Sequence, residues 1–314
     1  MRYIVTNVVI PYKMTKQLIA VVGPTAIGKT ALSIKIASHF TTEIISADSR
    51  QFYKEMAIGT AVPEPEELAA VRHHCIQHIS VDDTYSVGHF EREALALLDS
   101  LFKNYDKVVL VGGSGMYTDA VLYGLDSFPA VTPGTREKLQ QLRSEKGDQA
   151  LLTLLQEKDP KYYKEVDLNN IQRVLRALEV SISADAPFSS FRKKEKKARP
   201  FQSIKIGLTA ERPVIYERIN KRVDLMIEKG LIQEVESLLS RKRNNALQTV
   251  GYRELFAYLE GSVSKEEAIE NIKTNTRRFA KRQLTWYRKD PDIKWFDYQT
   301  PYEEIVKYIT KKTP

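Results

Sequence analysis

Residues 23–30, GPTAIGKT, fit the pattern G-x-x-x-x-G-K-[ST], and this octapeptide limits the fold more than any other stretch of the chain. It works only between a β-strand and a helix. Gly23 and Gly28 let the backbone approach an anion, and the N–H groups of Thr25, Ala26 and Ile27 can converge on it at a helix start. Lys29 neutralises phosphate charge, and the Thr30 hydroxyl can hold Mg²⁺. The flanks meet this demand: QLIAVV (17–22) is a β-branched run ending at Gly23, and TALSIKIASHF (30–40) has helical spacing through Leu32, Ile36 and Phe40. The occupant is a diphosphate or a triphosphate, and the loop alone leaves both open.

The same alternation continues. EIISA (43–47) predicts a strand ending at Asp48, and KVVLV (107–111) predicts one ending at Gly112. Between them, residues 85–102 predict a helix with Ser86 as N-cap and Phe90, Ala94, Leu97 and Leu101 on its apolar face. Strands alternating with helices imply an α/β fold with a parallel, doubly wound sheet. Ligands bind such sheets beyond the carboxyl ends of the strands, where Gly23, Asp48 and Gly112 all fall. From Ala130 the pattern turns wholly helical through TREKLQQLRS, DQALLTLLQEKD and NNIQRVLRALEVSI. Residues 130–199 are therefore expected to form an all-helical insertion, with residues 1–129 and 200–314 as the core. The insertion ends in FRKKEKKAR (191–199), whose charge predicts a mobile, solvated segment. SIKIGLTA (203–210) predicts a returning strand, and a long helical tail is expected after it. Met14 opens MTKQLIAVVG, so residues 1–13 are expected to be an extension or a misassigned start.

Composition then narrows the partners. With 42% hydrophobic and 28% charged residues and no apolar run near the roughly 18 that a membrane span needs, no transmembrane helix is expected. The opening residues lack a secretory pattern, which predicts a cytoplasmic protein, and one cysteine, Cys75, rules out an internal disulfide. A net charge of +8 suits a polyanion, although it suits plain solubility too. The run KTNTRRFAKRQLTWYRK (273–289) has seven basic residues and no acidic one; Arg278 and Arg282 share a helix face, and Trp286 and Tyr287 follow. That is a nucleic-acid footprint or a solvated helix face. RKKEKKAR and QRVLR (172–176) favour the polyanion.

Three further stretches carry candidate chemistry. Asp48, in ISADSRQFY, is placed for a general base, a metal ligand or a helix cap. VGGSGMY (111–117) brings the Ser114 hydroxyl to the same mouth, or simply makes a tight turn. HHCIQH offers His73, His74, Cys75 and His78, but the spacing matches no common zinc site, and a buried strand explains the string as well.

In order and spacing, GPTAIGKT, ISADSRQFY, IGTAVPE, HHCIQHI, YSVGHF, VGGSGMY, QRVLRALEV, VGYRELFAYLEG and TRRFAKRQLTWYRK resemble the bacterial tRNA dimethylallyltransferases, or tRNA isopentenyltransferases, from residue 17 to 295. The resemblance implies a P-loop NTPase-like core; a monomer is expected. Dimethylallyl diphosphate would donate its five-carbon group to N6 of the adenosine 3′ of the anticodon in tRNA. The loop would then cradle a leaving group through Gly23, Thr25, Ala26, Ile27, Gly28, Lys29 and Thr30, with Mg²⁺ at Thr30 and Arg222 reaching the diphosphate. Asp48 would be the general base, and Ser114, where the family usually has threonine, would assist beside the reacting centre. Asp48, Ser49, Arg50 and Gln51, together with Gln172, Arg173, Val174, Leu175 and Arg176, correspond to RNA-contacting segments, to which the basic residues Arg278 and Arg282 are added. The insertion would clasp the anticodon stem-loop. Ile27 and Arg50 depart from the residues usual in the family. Three rivals remain: a P-loop kinase using ATP, separable by phosphate transfer; an adenylate isopentenyltransferase, separable by prenylation of free nucleotides; and a non-catalytic RNA-binding protein, which would not need Asp48.

Overall fold

The computed structural model describes residues 16–193 and 195–312; the start expected before Met14 lies outside the described residues. Among the described residues, six strands form one sheet: β1 (Gln17–Val22), β2 (Ile44–Ser46), β3 (His73–His74), β4 (Lys107–Gly112), β5 (Gln202–Thr209) and β6 (Lys294–Asp297). Their order is β3-β2-β4-β1-β5-β6, and every pairing is parallel. The helices are α1 (Lys29–His39), α2 (Pro65–Ala70), α3 (Val87–Leu101), α4 (Gly115–Tyr123), α5 (Thr135–Lys158), α6 (Pro160–Glu165), α7 (Ile171–Ala184) and α8 (Phe188–Phe191), then α9 (Arg212–Glu228), α10 (Leu231–Ser237), α11 (Tyr252–Leu259), α12 (Lys265–Tyr287) and α13 (Tyr302–Lys311).

Every residue of β1 is buried, as an apolar run covered on both faces requires. β1 lies between β4 and β5, with Val22 opposite both Gly112 and Gly207, so the loops after β1 and β4 emerge side by side. The core joins Ile19, Val21 and Val109 of the sheet to Ile36 of α1, Ile219 of α9 and Ala280 of α12. α3 begins where Ser86 accepts from the His89 N–H, and it buries Phe90, Ala94, Leu98 and Leu101. Leu98 thus takes the core position expected of Leu97. The tail is not wholly helical: β6 pairs with β5 at the sheet edge before α13 follows.

The chain divides into two compact units, residues 123–197 and the remainder, so the boundaries differ from the expected 130 and 199 by a few residues. Within the smaller unit, Leu139, Leu151, Leu155, Val174, Leu178 and Phe188 form a separate apolar core, with the Phe128 and Phe188 rings stacked at 4.8 Å. Buried Asp159 accepts from the backbone N–H groups of Tyr162 at 2.9 Å and Ser189 at 2.6 Å, which fixes the start of α6 and the turn into α8. The two sequence-predicted helices at 135–158 form one element interrupted at Gly147, where φ is 76°. Arg199, expected in a solvated run, is instead held in the larger unit by the Val121 carbonyl and by Glu91 at 2.7 Å.

Candidate active site

The loop between β1 and α1 has the shape that its sequence demands. Gly23 has φ of 144°, and a Cβ there would lie 2.5 Å from the Leu208 carbonyl oxygen, so only glycine fits. Gly28 (φ 104°) caps α1, directing the first N–H groups of the helix toward the loop. The Lys29 ammonium donates to the Pro24 carbonyl at 2.8 Å and lines a cavity of about 220 Å³ with Thr25, Thr30, Asp48 and Arg222. Burial is the main influence on Lys29 and lowers its pKa to about 8, with Asp48 opposing and Arg222 reinforcing the shift. Burial likewise lowers Arg222, whose guanidinium donates to Thr25 Oγ1 at 3.3 Å. Lys29 and Arg222 thus place two desolvated cations on the cavity wall, beside the Asp48 and Glu67 carboxylates.

A second cavity, of about 360 Å³, opens from the same residues and has a more apolar lining that includes Met226, Leu231, Ile272, Phe279 and Trp286. Thr25, Asp48, Gly113, Arg222 and Gln283 line both. Asp48 follows β2, and its Oδ1 accepts the Arg50 N–H at 3.1 Å, which fixes the carboxylate over the mouth of the sheet. The Ser114 hydroxyl accepts from the Ser49 N–H at 3.1 Å and lies 3.0 Å from Ser49 Oγ, tying the loops after β2 and β4 together.

Several residues expected to touch a ligand have other work. Ile27 is buried in the core, and Ala26 is nearly so, so only their backbone can face an anion. That explains why a bulky residue is tolerated at Ile27. Arg50 donates to the carbonyls of Asn245 at 3.1 Å and Ala246 at 2.9 Å. The Gln51 carboxamide donates to Thr60 and Ala61 carbonyls and accepts from Ser46, so Arg50 and Gln51 hold the loop while Ser49, Arg50 and Gln51 also line the cavities. In the smaller unit, Val174 and Leu175 are buried in its core, which removes them as side-chain contacts to RNA. Gln172 accepts from Arg136 at 3.1 Å, Arg176 pairs with Glu179 at 3.6 Å, and Arg173 is exposed. Arg278 and Arg282 are exposed on α12, and Arg282 lies over the Phe279 ring. Tyr287 is buried, with its hydroxyl 3.3 Å from Thr118 Oγ1; of the two aromatics, only Trp286 is exposed.

Sequence reasoning missed Gln283. Its side chain is 5% exposed, accepts the Thr25 N–H at 2.8 Å and donates to the Gly113 carbonyl at 2.8 Å. One carboxamide thus locks the phosphate loop to the loop after β4. A Cβ on Gly113 would fall 2.4 Å from Gln283 Nε2, so a glycine there is the condition for this bridge. No helix among the described residues is long and apolar enough to cross a membrane.

The chain resembles known proteins over nearly its whole length. The family model for IPP transferase matches residues 51–290. The tRNA dimethylallyltransferase of Christiangramia forsetii is 56% identical over 299 residues, covering 95% of this chain and 99% of the relative. That of Flavobacterium johnsoniae is 51% identical, covering 94% and 98%. Among solved structures, the tRNA isopentenylpyrophosphate transferase of Bacillus halodurans superposes with a TM-score of 0.72 at 38% identity, covering 95% of this chain and 97% of that one. A eukaryotic dimethylallyltransferase acting on tRNA gives 0.79 at 25% identity, with 95% and 80% covered.

Proposed function

The chain belongs to the IPP transferase family and is a tRNA-prenylating enzyme with a P-loop NTPase-like fold, and from that premise we propose how its own residues perform the transfer. The donor is dimethylallyl diphosphate and the acceptor is N6 of the adenosine 3′ of the anticodon. The observation that carries this assignment is the pair of joined cavities: a cationic one at the phosphate loop, an apolar one beside it, and Asp48 at their junction. The diphosphate lies against the loop N–H groups, Lys29 and Arg222, and the five-carbon group and the adenine lie on the apolar side.

N6 attacks C1 of the dimethylallyl group, the C1–O bond breaks, its electron pair leaves with the diphosphate, and Asp48 takes the N6 proton. Lys29, Arg222 and the N–H groups are positioned where negative charge grows on the departing oxygen. Ser114 orients the loop that carries Asp48 through its bonds to Ser49. The Thr30 hydroxyl faces the cationic cavity and, with diphosphate oxygens, makes the oxygen donor set that Mg²⁺ prefers; Mg²⁺ bound there would add charge neutralisation at the leaving group.

A base inside a stacked helix could not reach Asp48, so the adenosine must leave its stack, at roughly a few kcal/mol and least in a loop. Arg278 and Arg282 of α12, and Arg173 and Arg176 of α7, supply phosphate contacts. Incubating the protein with an unmodified anticodon stem-loop, dimethylallyl diphosphate and Mg²⁺, then weighing the digested nucleosides, tests the assignment. A dimethylallyl mass gain on one adenosine is expected. A gain on free AMP alone, or phosphate transfer from ATP, would overturn it.

A further inference from the structure

The transfer chemistry makes no use of the HHCIQH stretch. Cys75 and Gln77 both adopt left-handed backbone (φ 59° and 47°), turning the segment between Cys75 and His78 sharply. Cys75 Sγ lies 3.8 Å from Glu93 Oε1, and His78 Nε2 lies 3.3 Å from the same oxygen. All three donor atoms fall within 4.8 Å of one another. Bonds of about 2.0–2.1 Å to nitrogen and oxygen and about 2.3 Å to sulfur give tetrahedral edges of roughly 3.3–3.6 Å, close to the two separations from Glu93. His78 points the same way: both ring nitrogens are buried, Nδ1 has no hydrogen-bond partner, and Nε2 faces only the Glu93 oxygen, outside good hydrogen-bond geometry. Hydrogen bonds to Glu93 from Cys75 and from Tyr85, at 2.5 Å, already satisfy the other groups, while the His78 ring meets Glu93 only through the 3.3 Å contact.

We propose that Cys75 Sγ, His78 Nε2 and the Glu93 carboxylate bind one Zn²⁺ ion, with water as the fourth ligand. The Glu93 side chain is 36% exposed, which gives that water a route to the cluster, and Tyr85 steadies the second Glu93 oxygen. The thiol proton passes to solvent as the Zn–S bond forms. Mixed sulfur, nitrogen and oxygen donors select Zn²⁺ over Mg²⁺, which separates this site from Thr30. Its role is structural. The Gln77 N–H donates to the Gln51 carbonyl at 2.8 Å, and the His78 and Ile79 N–H groups donate to the Phe52 carbonyl at 2.9 and 3.1 Å. The Phe52 ring packs on His78 and Tyr85, with centroids 5.7 and 5.2 Å away. Zn²⁺ would therefore staple the segment that follows Asp48.

The probe is Co²⁺, added to full-length protein stripped with a chelator. One equivalent should produce a thiolate-to-cobalt charge-transfer band with the intense visible bands of tetrahedral coordination. Stoichiometric Zn²⁺ should erase these bands, and excess Mg²⁺ should not. Cys75→Ser should lose the charge-transfer band, and His78→Gln should weaken Co²⁺ binding by more than about tenfold. Circular dichroism and residual prenyl transfer establish that each variant is folded. No band in the wild type, or an unchanged band in folded Cys75→Ser, overturns the site and leaves the transfer assignment intact, because transfer is read separately.

Discussion

Lys29 gives the sharpest quantitative expectation. Its amine is buried beside the phosphate loop and near Arg222, and its pKa falls from the ordinary 10.5 to about 8. Diphosphate binds the ammonium form. That form makes up about nine-tenths of the donor-free protein at pH 7 and about one-tenth at pH 9, so donor affinity should fall about tenfold over this interval, or about 1.4 kcal/mol. The ligand does not confound this window, because the last ionisation of a phosphate ester lies near pH 6. The stability effect has the opposite sign. Between pH 8 and 10.5 the unfolded chain holds a proton on this lysine that the folded chain lacks, so the Lys29 contribution to stability rises with pH there. Weakening affinity without a matching loss from Lys29 to the melting temperature is therefore the signature. The assay is equilibrium binding of dimethylallyl diphosphate at fixed Mg²⁺ without RNA, from pH 7 to 9.5, on wild type and Lys29→Arg. Arginine stays charged throughout, so its profile should be flat. A flat wild-type profile, or the same decline in Lys29→Arg, would refute the reasoning.

Asp48→Asn should lower turnover by about 10²- to 10⁴-fold while donor affinity changes little, as single-turnover kinetics and donor binding would read out. Gln283→Met, similar in size, leaves the Thr25 N–H and Gly113 carbonyl without their partner; unfolding should become easier by about 1–3 kcal/mol, and the donor KM should rise. Gln283→Glu should recover only the Thr25 contact, and a wild-type donor KM in both variants would sink the bridging role. Replacing Arg278 by alanine should raise the RNA KM and reduce the salt slope of RNA binding by about one, leaving donor binding unchanged in a titration across KCl concentrations, whereas Arg282 also lines the apolar cavity and its replacement should raise the donor KM as well. Phe188→Ala, in the core of the smaller unit, should destabilise it by about 3–5 kcal/mol in denaturant melts, with the donor affinity of the larger unit preserved.

What the sequence made legible follows the strength of its local signals. β1, its loop and α1 combine a fully buried run, a motif with a mechanism and a helical apolar stripe, so three independent constraints agree. β3 has two residues and β6 has four, both at the sheet edges, and no residue of either is fully buried. An edge strand of that kind lacks the apolar run or alternation by which strands are recognised. Adjacent leucines at 97 and 98 both satisfy a helical stripe within its width, and only packing selects Leu98.

The site shows a more instructive limit, because motifs are contiguous and helix faces are not. QRVLR reads as one RNA-contacting unit, yet successive residues turn by about 100° around the helix. Arg173 and Arg176, three apart, therefore reach solvent while Val174 and Leu175 enter the core. The same rotation hid Gln283. Counting charge along 273–289 identifies a basic helix correctly, but the uncharged residue next to Arg282 turns inward and holds the phosphate loop. α12 thus carries two functions on two faces: exposed cations suited to a polyanion, and a buried carboxamide fixing the loop where the leaving group is bound. A change that rotated or frayed this helix would disturb donor and RNA sites together, whereas single substitutions on either face should separate them. That separation is why the Gln283 and Arg278 variants test the helix more stringently as a pair than either does alone.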